Sequence, residues 1–358
     1  MKKYLIVATL ALVASAACTK VELLDTAPAR KVTFEVANYS AQTKAHSLNS
    51  ETIVSFNSKA YMKGEGVTGL QDFFGANGET ISYQSGTNTW EPSHDYYWPK
   101  SANSYVNFFS WYDTGVGPTT VTNGTMAWTN RTIATGDNIM YADPAWHFQQ
   151  NTTNAEQYTG DDITVGVPTL FHHALAQVNF KAYASKIEIS GLCSWTISLT
   201  DINITNVYNQ GTLSLTATEP AESVKNQKGT WDGTPAWTTT GSAASLAPAD
   251  LSVTAVTSAT AQDILAAQSV LPQSLTNVHL TFNLDITTTY TAGQTNHEII
   301  PIDIPLASAA PDGFGTADWS LNTKYTYTIK IEPSENKVLF DPAVAEEWVE
   351  VTATEKII

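Results

Sequence analysis

Val278-His279-Leu280-Thr281-Phe282-Asn283-Leu284-Asp285-Ile286 carries an apolar side chain at every second position without exception. A β-strand turns successive side chains to opposite faces, so this stretch has one face for a core and one for solvent. A helix would scatter the same five apolar residues around its circumference. The same alternation recurs on either side. Trp195, Ile197 and Leu199 share one parity, and the phase then flips to Ile202 and Ile204, which predicts a β-bulge near Thr200-Asp201. Tyr325, Tyr327, Ile329 and Ile331 make another strand, Ala176, Val178, Phe180 and Ala182 another, and Val338-Leu339-Phe340 begins a last one.

Upstream, Val32-Thr33-Phe34-Glu35-Val36 is the first strand, with Val32, Phe34 and Val36 on one face. Val54, Phe56, Ala60 and Met62 mark the next, and Asn77-Gly78 is a tight turn before Glu79 to Tyr83. Tyr105-Val106-Asn107-Phe108-Phe109-Ser110-Trp111-Tyr112 is apolar at both parities, as a strand buried on both sides requires. Two departures are expected: a short helix around Gln262 to Gln268, and an exposed Ala/Ser/Thr-rich excursion from Thr238 to Ala261. The class is all-β, and the simplest architecture is two β-sandwich domains in tandem, residues 32–165 and 166–358, divided near Gly166 and Pro168.

The N-terminus reads as an export signal: Lys2 and Lys3, an apolar run from Leu5 to Val13, then Leu12-Val13-Ala14-Ser15-Ala16-Ala17-Cys18. The small residues ending on cysteine resemble the bacterial lipobox, in which the thiol receives a diacylglycerol. Residues 1–17 are then the signal peptide, Cys18 the lipidation site, and 18–31 a polar tether to the outer membrane. Asp25-Thr26-Ala27 resembles the O-glycosylation signal of Bacteroidales. Removing residues 1–17 takes away two lysines and leaves 16 basic against 34 acidic side chains, a formal charge of −18. Such a surface repels phosphate backbones, which argues against nucleic acid as a partner. Beyond Cys18 the only cysteine is Cys193, which shares strand parity with Trp195 and Ile197 and reads as a core thiol.

No catalytic constellation emerges. The seven histidines lack zinc-site spacing, and His172-His173 point to opposite faces of a strand, so no metal and no cofactor are expected. Gly64-Glu65-Gly66-Val67-Thr68-Gly69 fits a dinucleotide fingerprint in letters but lacks the helix that must follow it. Glu346-Glu347 and Asp161-Asp162 read as solvated charge rather than catalytic pairs. Trp231 and Trp237 stand close together in one loop, where they either pack or offer a platform for sugar rings.

Taken in order, several pieces resemble the fimbrillin family, the Mfa-like lipoprotein subunits of the type V pili of Bacteroidales. They are the lipobox, the strand Val32 to Val36 followed by Thr43-Lys44-Ala45, and Tyr97-Trp98-Pro99 before Val106-Asn107-Phe108-Phe109. Leu170-Phe171-His172-His173-Ala174-Leu175-Ala176-Gln177-Val178-Asn179-Phe180, Leu271-Pro272-Gln273, Leu321-Asn322-Thr323-Lys324-Tyr325-Thr326-Tyr327 and Trp348 complete the set. The resemblance implies two transthyretin-like β-sandwich domains and export as an outer-membrane lipoprotein. It also implies a cut by a trypsin-like protease in the loop after the first strand, here between Lys44 and Ala45, where family members often carry arginine. Loss of Val32, Phe34 and Val36 would open a groove for a strand from another pilus subunit, and the segment holding Val338, Phe340, Trp348, Val349 and Val351 would be the donor. The expected protein is a non-enzymatic structural or adhesive subunit of a surface fimbria, meeting a host or bacterial surface ligand. The alternative is an anchored glycan-binding lipoprotein that does not polymerise, using Trp231 and Trp237.

Overall fold

The computed structural model describes residues 31–38, 53–87, 89–101, 103–149, 166–307 and 317–347. Cys18, Thr26, Lys44, Ala45, Trp348, Val349 and Val351 lie outside the described residues. Among those described, strands dominate and the sole helical element is a single 3-10 turn, Ser258–Thr260.

The opening stretch lies in the strand His279–Tyr290, which pairs on one side with Cys193–Val207 and on the other with Thr295–Pro305. Leu280, Phe282, Leu284 and Ile286 are all buried, and the intervening residues are not. Opposite them packs a second sheet in the order Gln262–Val270, Ala176–Ala184, Thr323–Glu332 and Lys337–Glu347. The shared core includes Val178, Phe180, Leu199, Ile204, Tyr327 and Ile329. The rings of Phe180 and Tyr327 stack at 4.6 Å. The predicted bulge is present: the ladder shifts register between Thr200 and Asn203, and Asp201 has a φ of 53°. One extra residue there rotates the rest of the strand so that Ile202 and Ile204 regain the core face.

The other unit is organised by Tyr105–Asp113. One face of this strand, with Val106 and Phe108, joins a core of Phe34, Phe56, Trp90 and Phe171. The opposite face, with Phe109 and Trp111, packs beneath a sheet of Thr120–Thr122, Thr125–Thr132, Gln210–Thr216 and Trp237–Thr240. The strand is therefore buried on both sides, as its sequence requires. Around the first core the strands run Ser55–Lys63, Glu79–Gln84, Thr89–Pro92, Phe34–Asn38, Val167–His173, Ile139–Ala142 and Tyr105–Asp113, which pairs again with Ser55–Lys63. The sheet closes on itself, and its slightest join is the single pair Phe34↔Trp90.

Three expectations need correction. Gln262–Val270 is a strand, not a short helix; two register shifts against Ala176–Ala184 break its alternation and hide the period-two signal. The excursion from Thr238 to Ala261 is only partly exposed. Ala244–Leu246 and Leu251–Ser252 add to the edge of Cys193–Val207, and Val253 is buried. A division at 165/166 is crossed by strand pairing. Val167–His173 pairs with Phe34–Asn38, Gln210–Thr216 pairs with Thr125–Thr132, and Gln227–Lys228 pairs with Ala145 and Trp146. Alternation reports that a segment is a strand but not which neighbour completes its hydrogen bonds.

Candidate assembly site

The resemblance to the fimbrillins makes the first strand the expected site of assembly. Val32, Phe34 and Val36 are buried, and Thr33 and Glu35 between them are half-exposed. Phe34 makes edge-to-face contacts with Phe56 at 5.6 Å and Phe108 at 5.5 Å, and Phe74 lies at 6.3 Å. Fully burying three such side chains is worth roughly 5–8 kcal/mol by area bookkeeping. The strand runs parallel to Val167–His173, with Phe34 opposite Val167, Glu35 opposite Pro168 and Val36 opposite Thr169. Backbone bonds fix both sides: Val167 N–H donates to Thr33 O at 2.8 Å, and Val32 N–H donates to Tyr96 O at 2.9 Å.

The N-terminal end of the strand rests on the segment Ser93 to Tyr97. Lys31 bridges Tyr97, and its ammonium donates to Asp95 Oδ1 at 2.7 Å, a hydrogen bond that raises the Lys31 pKa. Both side chains are well exposed, so this bond fixes register more than it stabilises. The segment is itself held by Glu79, whose carboxylate accepts from Ser93, from Tyr96 Oη at 2.9 Å and from His94. Burial pushes the Glu79 pKa up, and these bonds more than offset it, leaving it below the usual range. Burial, then the Glu79 contact, pushes Tyr96 up to about 12.

Gly166 opens the partner strand. A β-carbon there would sit 2.7 Å from Phe34 C and 2.8 Å from Glu35 N, so only glycine lets the two backbones pass. A Gly166→Ala chain is expected to lose about 1–3 kcal/mol of stability through this overpacking. Urea denaturation of the full chain checks it, and an unchanged midpoint would refute it.

The predicted residues divide as follows. Val32, Phe34 and Val36 come together in one core, as their parity required. Val338 and Phe340 lie in Lys337–Glu347, which among the described residues pairs only with Thr323–Glu332. Trp231 and Trp237 offer no platform for sugars: they are 7% and 8% exposed, and their indole N–H groups donate to Ala142 O and Ala174 O. Both belong to the core beneath Phe109 and Trp111. Aromatic residues at spacing six carry no signal that separates a platform from a core. Sequence reasoning missed Asp95, Tyr96 and Gly166. The alternation of Val167, Thr169, Phe171 and His173, all buried, was a signal that a strand starts directly after that glycine.

His172 and His173 point apart. His172 Nε2 meets Asp143 Oδ1 at 3.0 Å, whereas His173 is buried against Asn138 Oδ1 at 3.1 Å. Among the described residues no group of three or more His, Cys, Asp or Glu side chains is arranged to hold a metal ion.

A family model described as fimbrillin-like matches residues 43–348. Among solved structures, a fimbrial protein from Bacteroides vulgatus is 16% identical, over 89% of this chain and 100% of that one, with a TM-score of 0.49. A protein from Bacteroides uniformis assigned to cell adhesion is 18% identical, over 89% of this chain and 98% of that one, with a TM-score of 0.42. The tip fimbrial protein Mfa3 from Porphyromonas gingivalis is 11% identical, over 82% of this chain and 94% of that one, with a TM-score of 0.29. No curated protein matches the sequence. With a family model spanning most of its length, this all-β chain belongs to the fimbrillin-like family, whose members are structural pilus proteins rather than enzymes.

Proposed function

We propose that this pilus subunit reaches the outer membrane as a lipoprotein precursor, loses its first strand by proteolysis after Lys44, and is assembled by donor-strand exchange. The observation that carries the reading is the placement of residues 32–36. They fill the core of a sheet whose other members all come later in the chain, from residue 55 onward, and residues 39–52, with Lys44 among them, are their link to it. A cut in that link frees the strand covalently while its hydrogen bonds and buried side chains still hold it. Once it leaves, the apolar walls and backbone groups of Thr89–Pro92 and Val167–His173 lack a partner, which is costly until another strand enters. Lys337–Glu347, which has one strand neighbour among the described residues, is the described part of the donor segment.

In this scheme Cys18 is a delivery device, because the lipid departs with the first strand. The mature subunit would then belong to the fimbrium, and its partners are other subunits, a trypsin-like maturation protease and, before processing, the membrane. A trypsin-like protease acting on the full chain is expected to leave one stable product beginning at Ala45, which then forms oligomers by size-exclusion chromatography. Lys44→Ala is expected to stay whole and monomeric. Complete degradation, or an Ala45 product that remains monomeric, would defeat the reading.

A further inference from the structure

Residues 31–36 read Lys-Val-Thr-Phe-Glu-Val, and residues 337–342 read Lys-Val-Leu-Phe-Asp-Pro. Lysine, valine and phenylalanine recur at identical spacing, followed by an acid, and no other lysine in the chain begins such a run. Strand alternation explains why the second and fourth positions are apolar. It does not explain the leading lysine, the choice of an aromatic at the fourth position, or the acid after it.

Each shared letter has a task at the first-strand site. Lys31 pairs with Asp95, Val32 is buried and its N–H reaches Tyr96 O, and Phe34 fills the space between Phe56, Phe74 and Phe108. Of the positions that differ, 33 and 35 are half-exposed and 36 is buried. Thr33 is half-exposed, so a leucine fits there. Proline at the position of Val36 would cost no bond to Val167–His173. Thr33 O accepts from Val167 N–H, so in a parallel ladder residues 33, 35 and 37 direct their backbone groups to Val167–His173. Residue 36 is turned to the side of Thr89–Pro92, where Phe34↔Trp90 is the pair formed among the described residues.

We infer that residues 337–342 are a second copy of the first-strand key. In the assembled pilus they enter the vacated groove of a neighbouring subunit in the same direction and register, with Lys337 at Asp95, Val338 in the place of Val32 and Phe340 in the place of Phe34. The inference rests on the maturation reading above and adds the register, the direction and the residues that set specificity. In the exchange residues 337–342 give up their ladder with Thr323–Glu332 and the packing of Val338 on its own core, and gain Val167–His173 on one side and Thr89–Pro92 on the other.

The test uses intermolecular disulfides in the protease-processed subunit. In the inferred register Asp341 takes the place of Glu35, opposite Pro168. A chain carrying Asp341→Cys and Pro168→Cys is expected to give a covalent ladder on oxidation, and Leu339→Cys with Pro168→Cys is expected to give none. Polymers that link through the second pair, or through neither, overturn the register and leave the maturation reading standing. A processed subunit that never polymerises overturns both. A second measurement needs no processing: Thr33→Leu with Glu35→Asp makes residues 31–35 of the full chain identical to 337–341. Its melting temperature is expected to stay within about 2 °C of the original, and a fall of about 10 °C would show that the C-terminal sequence does not fit this groove.

Discussion

A full-length Phe34→Ala chain is expected to melt about 10 °C below the original, because removing a buried phenylalanine costs about 3–5 kcal/mol and each kcal/mol shifts a domain of this size by a few degrees. The loss is large because the buried ring is packed among three others, Phe56, Phe74 and Phe108. Phe56 and Phe108 meet it edge-to-face, and among the described residues the strand that carries it is joined to Thr89–Pro92 through Phe34↔Trp90. Aromatic neighbours held in that geometry cannot close over the cavity without leaving their own rotamers. The measurement is thermal unfolding followed by near-ultraviolet circular dichroism, with limited proteolysis of the first strand in parallel. If Phe34→Ala melts within a degree or two of the original, the first strand is peripheral, and the assembly scheme loses its energetic basis. Faster release of the processed N-terminal fragment in the same variant would connect strand affinity to maturation.

The second large effect is acid sensitivity through His173. Burial, reinforced by the neighbouring His172 charge, pushes the His173 pKa down to about 3. In the unfolded chain an ordinary histidine titrates near 6.5. Between those values the unfolded state takes up a proton that the folded state refuses, so stability falls as pH drops, by at most about 1.4 kcal/mol per pH unit. The contribution is fully present above about pH 6.5 and is lost progressively toward pH 3. From pH 7 to pH 4 this one residue should remove about 3 kcal/mol. A His173→Gln chain is therefore expected to lose about that much less over the same range in urea titrations at each pH. Parallel pH profiles for the two chains would contradict the assignment. Glu219 acts in the same direction at lower pH. Burial raises its pKa, but hydrogen bonds from Asn107, His147 and Asn123 outweigh burial and leave it below the usual carboxylate range. Its share of stability persists until the pH falls through that lowered value.

His173 illustrates what a sequence conceals. Its parity announced that it and His172 would part, and they do, but nothing local said that one ring would be sealed in the interior and the other would stack on Tyr141 beside Asp143. Trp231 and Trp237 make the same point from the other side. Two indoles in a loop looked able to face solvent, and the fold placed both in a core by satisfying each N–H with a backbone carbonyl. The alternating strand His279–Tyr290, the bulge at Asp201 and the doubly buried Tyr105–Asp113 were legible because each follows from the direction in which neighbouring side chains point. Gln262–Val270 was misread as a helix because bulges disrupted that same local signal.

By itself, then, the sequence determined that the chain is all-β, which face of each regular strand is apolar, and that Lys-Val-x-Phe-acid occurs at both ends of the protein. Those properties are set within a few residues by backbone geometry and side-chain chemistry. Only the tertiary structure decided that Val167–His173 lies beside the first strand, that Gly166 lets their backbones pass, and that Asp95 and Tyr96 receive its N-terminal end. A strand offers the same backbone donors and acceptors to any neighbour, so its partner is chosen by how the whole chain closes around the core.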